Sequence, residues 1–182
     1  MTLRNSPDAY GTIARALHWL TVVLVVAAWL IGLFHNAFPQ GAARAAAMFV
    51  HMTFGLTIAL LLVVRVLWRM VDPAPPPPKT PLGRLGDIAA ASVHGITYLL
   101  LLAIPAIGIA LLFARGRPLP VFGLTEIASP WAADRSFART LNPYHEWLAH
   151  ALMAIAFVHA VAALVHHFVF HDRTLRRMIG TA

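Results

Sequence analysis

No cysteine occurs among the 182 residues. That excludes disulfides, thiolate zinc sites, iron–sulfur ligation, a cysteine nucleophile and covalent attachment of a cofactor through a thiol. Acidic residues are nearly as scarce. Asp and Glu together number 7, and all of them (Asp8, Asp72, Asp87, Glu126, Asp134, Glu146 and Asp172) fall outside the apolar stretches or at their edges. A proton pump normally needs carboxylates deep in the membrane, and this chain has none there. Neither a nucleophilic triad nor a glycine-rich phosphate loop is visible, which argues against hydrolysis and nucleotide chemistry. Charged residues make up 12% of the chain against 59% hydrophobic, about half the charged share of a soluble domain, and mean hydropathy is +0.72. The chain is solvated by lipid.

What is present is four long apolar runs. The first, Ala16 to Phe34, would span about 28 Å as a helix, enough to cross a bilayer core. It is too long for a secretory h-region, and His35-Asn36-Ala37-Phe38-Pro39 is no cleavage site, so it is expected in the mature protein. With the runs that follow, spans are expected at about 13–35, 45–69, 88–113 and 144–170. The fold expected is all-α, an integral membrane four-helix bundle occupying 1–182 as one domain, with no convincing internal repeat. Phe38-Pro39-Gln40-Gly41 separates the first two helices, and Asp72-Pro73-Ala74 followed by Pro75 to Pro78 stops the second. The stretch from Ala114 to Pro143 is expected as a surface loop, with a short interfacial helix around Trp131.

Lys and Arg number 14, for a net charge of +7 and a pI near 11.3. In a membrane chain such a balance reads as basic loops at an anionic leaflet, so the partner expected is the bilayer and not nucleic acid. Arg4, Arg15, Arg65, Arg69, Lys79, Arg84, Arg173, Arg176 and Arg177 share one side, whereas Arg44, Arg115, Arg117, Arg135 and Arg139 share the other. The bias places both termini in the cytoplasm.

Ten histidines remain, and an ionisable residue within a span marks a functional site by default. His145 and His159 lie fourteen positions apart, within about 40° of whole helical turns and about 21 Å along the axis. They share a face at two depths. His51 matches the depth of His145 on the periplasmic side, and His18 that of His159 on the cytoplasmic side. His166, seven positions beyond His159, is a rival partner for His18. Two pairs of imidazoles, without thiolate or carboxylate and in apolar surroundings, suit b-type haem better than zinc or copper. Gly55 and Gly95 could admit a flat ring or serve helix packing. His94 could hydrogen-bond a propionate or quinone, or simply pack. His150 lies about 140° from His145 and so is expected in a surface or inter-helix hydrogen bond. Arg65 and Arg69 could clamp haem propionates or snorkel. Arg115 and Arg117 could attract a small anionic donor, bind propionates of the outer haem, or anchor the interface.

Several stretches together resemble the bacterial cytochrome b561 family, relatives of the cytochrome b subunits of Ni/Fe-hydrogenase and formate dehydrogenase. They are Arg15-Ala16-Leu17-His18-Trp19-Leu20, Phe49-Val50-His51 with Gly55, Val64-Arg65-Val66-Leu67-Trp68-Arg69, and His94 with Tyr98. Further along come Ala114-Arg115-Gly116 with Phe122-Gly123-Leu124, His145-Glu146, His159-Ala160 and Ala162-Ala163-Leu164-Val165-His166-His167. The resemblance implies that His18, His51, His145 and His159 ligate the iron of two non-covalent haems b. It also implies an oxidoreductase of the bacterial inner membrane that passes electrons from the periplasmic side to ubiquinone, with superoxide or a periplasmic redox protein as donor. Two readings compete: a cytochrome subunit anchoring a larger respiratory dehydrogenase, and a histidine-based metal-ion transporter.

Overall fold

A computed structural model describes residues 2–76 and 82–180. Among them are four long helices, α1 (Thr12–Leu33), α2 (Ala42–Val71), α3 (Gly83–Ala114) and α4 (Arg135–Phe168), and a short α5 (Thr174–Ile179). Each long helix is apolar and long enough to cross a membrane. Their outward faces carry large apolar side chains, among them Val23, Leu99 and Phe157 at 62%, 64% and 70% exposure. That is the surface expected of helices solvated by acyl chains. The helices run up and down, so both termini lie at one end of the bundle and the connections α1–α2 and α3–α4 at the other. The latter is called here the loop end.

α1 with α2 and α3 with α4 form two tightly packed hairpins, while α2 and α3 pack more loosely. A small core of Ala28, Ile58, Leu62, Leu100, Leu101 and Leu152 fills the bundle at mid-depth. At the termini end the amide of Asn5 donates to Asp72 (3.0 Å). Arg177 of α5 donates to the carbonyls of Pro76 and Pro7, and the Trp19 indole to that of Met178. N-terminal segment, α2 terminus and α5 are thus tied together. Pro77, Pro78 and Lys79 of the expected proline-rich connection lie outside the described residues.

Two helices begin earlier than their apolar runs. α3 starts at Gly83, not 88, and α4 at Arg135, not 144, with Pro143 inside it. The carboxylate of Asp134 caps α4, accepting from the amides of Ser136 (2.9 Å) and Phe137 (3.0 Å), and Ala138 and Leu141 pack on Leu111 and Ala114. Tertiary packing therefore holds two polar turns that hydropathy assigns to a loop, and it tolerates the donor lost at Pro143. The remaining connection is not a plain loop either. It contains an antiparallel hairpin, β1 (Leu119–Val121) and β2 (Thr125–Ile127), turned through Phe122 and Gly123 at φ 54° and 73°, the backbone of a primed hairpin turn. Trp131 sits in a bend with its ring edge-on to Phe113, not in an interfacial helix.

Candidate functional site: two histidine layers

At the loop end His51 of α2 and His145 of α4 face each other across the bundle, ring centroids 6.1 Å apart and planes at 72°. Nδ1 of His51 donates to the carbonyl of Ala28 (2.9 Å), and Nδ1 of His145 to that of Ile104 (3.1 Å). A carbonyl only accepts, so each bond places the proton on Nδ1 and leaves the lone pair on Nε2. One turn beyond each acceptor stands a glycine. A Cβ on Gly32 would come within 3.2 Å of Cε1 of His51, and one on Gly108 within 3.0 Å of Cε1 of His145. Each neighbouring helix therefore offers one carbonyl to orient the ring and one bare backbone to admit it.

Both rings line an apolar, partly open cavity with Val25, Trp29, Gly55, Pro105 and Leu152 among its walls. Gly95 stands elsewhere, exposed on α3. The Trp29 indole donates to Nδ1 of His150 (3.0 Å), the inter-helix bond expected of His150. It joins α1 to α4, which otherwise barely approach each other.

At the termini end the residues that converge are His18 of α1, Arg65 of α2, His94 and Tyr98 of α3, and His159 of α4. The ring facing His159 is that of His94, centroids 5.5 Å apart. Nδ1 of His18 is turned to Arg65, whose two terminal nitrogens each lie 3.4 Å away. The same guanidinium lies over the Tyr98 ring, 5.7 Å from its centroid, and the Tyr98 hydroxyl is buried without a hydrogen-bond partner among the described residues. Arg69 is exposed on the same helix.

The remaining candidates have other neighbours. Arg115 donates to the side-chain oxygen of Asn142 (2.7 Å), whose amide donates to Glu146 (2.6 Å), and Arg117 is exposed. His166 pairs through Nδ1 with the carboxylate of Asp172, just beyond α4. Burial would raise the Asp172 carboxyl, but hydrogen bonds from His166 and Thr174 outweigh it and hold the group below its usual range.

No three His, Asp or Glu side chains among the described residues stand close enough together to hold one metal ion between them. Two opposed imidazoles, fixed in the tautomer that presents Nε2, with glycine-cleared space and apolar walls, suit instead a b-type haem, which His51 and His145 would hold and which would supply one-electron redox chemistry.

Comparison with known sequences decides the matter: the family described as prokaryotic cytochrome b561 matches residues 9–181. The chain belongs to the cytochrome b561 family. This b561-family chain is 34% identical over 186 residues to cytochrome b561 homolog 2 of Escherichia coli (strain K12), covering 99% of this chain and 96% of that protein. It is 34% identical over 172 residues to the probable superoxide oxidase CybB of Yersinia pestis, covering 93% and 95%. With cytochrome b562 of Cereibacter sphaeroides it shares 30% over 179 residues, covering 93% and 94%. Membership makes it a haem b-binding membrane protein of electron transfer. The sequence-level pattern had pointed to the histidines; Gly32, Gly108, Ala28 and Ile104 escaped it.

Proposed function

We propose that this b561-family chain holds two haems b, without covalent attachment, and passes electrons from a small donor at the periplasmic face to ubiquinone in the bacterial inner membrane, both termini being cytoplasmic. The observation that carries the reading is the opposed pair His51 and His145, each bonded through Nδ1 to a neighbouring backbone. The bound haem supplies one-electron redox chemistry. The chain's own part is to orient the axial nitrogens, clear the ring space at Gly32, Gly108 and Gly55, and exclude water with the mid-depth core. The second site takes His18 and His159, with His94 and Arg65 beside them. Superoxide is the preferred donor. The name of the Yersinia pestis relative supports it, and so does the cationic edge at Arg115 and Arg117, which would steer an anion.

The test is purified protein mixed with superoxide and a quinone analogue, after a pyridine haemochrome assay. Two non-covalent haems per chain that superoxide reduces and quinone reoxidises are expected, with no need of NAD(P)H. Haems that stay oxidised until a dehydrogenase partner is added would replace this reading with the anchor-subunit one.

A further inference from the structure

His150 belongs to neither histidine layer. Its Nδ1 accepts the indole N–H of Trp29 (3.0 Å), so the ring's own proton stands on Nε2, and among the described residues nothing accepts that proton. The ring looks outward. His150 is exposed and shares one stripe of α4 with Trp147, Ala154 and Phe157, at steps of three, four and seven residues; Trp147 and Phe157 are 67% and 70% exposed. The residues of α4 that line the cavity are His145, Ala149, Leu152 and Met153 instead. His150 therefore presents an N–H to the acyl chains, about 7.5 Å further along the axis than His145. Hydrocarbon holds no water to take up such a donor, and leaving it bare is costly.

What would satisfy it is narrowed by its neighbours. Trp29 offers the flat wall of an indole, and the same residue lines the cavity of His51 and His145. Because α1 and α4 barely approach each other, the space beside the ring opens to lipid. Arg15, the only Lys or Arg of α1, stands about 21 Å from Trp29 along the axis. On α4 the nearest charge is Glu146, one turn toward the loop end and hydrogen-bonded by the Asn142 amide, with Arg139 two turns beyond it. Neither helix brings a cation to His150, so an anion has nothing to bind there. The chemistry left is an uncharged carbonyl oxygen on a flat ring soluble in hydrocarbon. Phospholipid ester carbonyls share the acceptor but lie at the headgroup boundary and carry no ring.

We propose that Trp29 and His150 form a docking site, open to the bilayer, for a quinone: Nε2–H of His150 donates to one ring carbonyl and the indole flanks the ring. No covalent bond is made or broken. The inference deepens the acceptor half of the reading above, and rests on it for the role of the bound quinone, whose ring lies across the Trp29 indole from the cavity that would hold haem.

The holoprotein in nanodiscs, photolabelled with an azido-ubiquinone analogue and mapped by peptide mass spectrometry, tests it. Label is expected within 147–154 of α4 or 26–30 of α1, displaced by unlabelled ubiquinone and not by excess phosphatidylglycerol. In binding titrations with a short-tailed ubiquinone, His150→Leu weakens the affinity by about three- to tenfold, the loss of one hydrogen bond, with haem content unchanged. His150→Gln, which keeps an N–H at the same reach, restores most of it. Label confined to other segments, displacement by the phospholipid, or an affinity that His150→Leu leaves unchanged overturns the proposal. Should His150→Leu lose haem, the label map of the unaltered chain decides. Failure of the reading above shows elsewhere, as a chain without haem in the pyridine haemochrome assay.

Discussion

A methyl group on Gly108 would sit 3.0 Å from Cε1 of His145, and that ring is tethered to the same helix, one turn away, through the carbonyl of Ile104. It can retreat only by giving up that bond. Gly108→Ala is therefore expected to lower the haem-to-protein ratio in a pyridine haemochrome assay toward half. Gly95→Ala, where the added Cβ meets nothing within 4 Å, should leave the ratio unchanged; equal losses in both would refute the account. The histidines were legible because depth and face follow from residue spacing alone. The glycines and carbonyls that orient them were not, because their role depends on which helix packs alongside. The same holds at the termini end, where α3 brings His94 against His159 and α2 brings Arg65 against His18.

Asp172 carries a pH dependence of its own. Its carboxyl lies lowered in the folded chain, so the stabilisation it lends is complete above the ordinary carboxylate range and is lost as pH falls through the lowered value. Hydrogen exchange of residues 172–180 should be flat from neutral pH to about pH 4, after correction for intrinsic rates, and accelerate below it. Asp172→Asn should remove that step, and a step that survives the substitution belongs to another group.

For the elements, the apolar runs marked the four helices because lipid-facing side chains are read directly from composition. Their ends were less legible. The first turns of α4 are polar and carry Pro143, and what makes them helical is the Asp134 cap and the packing of Ala138 and Leu141 on the end of α3. Asp134→Ala is expected to cost about 0.5–2 kcal/mol and to raise exchange at 135–142, with the haem spectrum unaltered. Protection that is unchanged would mean that packing alone holds these turns.

For the molecule as a whole, the lack of cysteine makes orientation directly measurable. Leu124 at the hairpin tip is 87% exposed, and Leu3 near the N-terminus 66%. If the termini are cytoplasmic, as proposed, a membrane-impermeant maleimide should label Leu124→Cys in spheroplasts and Leu3→Cys only after lysis. The converse pattern would invert the topology.

The bundle is two hairpins with a thin core between them, and its loop-end histidines stand one on each hairpin. A ligand that both grip binds only the closed form, and by mass action it shifts the chain toward closure. Cofactor supply then governs turnover as well as colour. In cells starved of haem the open chain exposes its buried seam to membrane proteases, so pulse-chase labelling should show a shortened polypeptide half-life that returns when haem is restored.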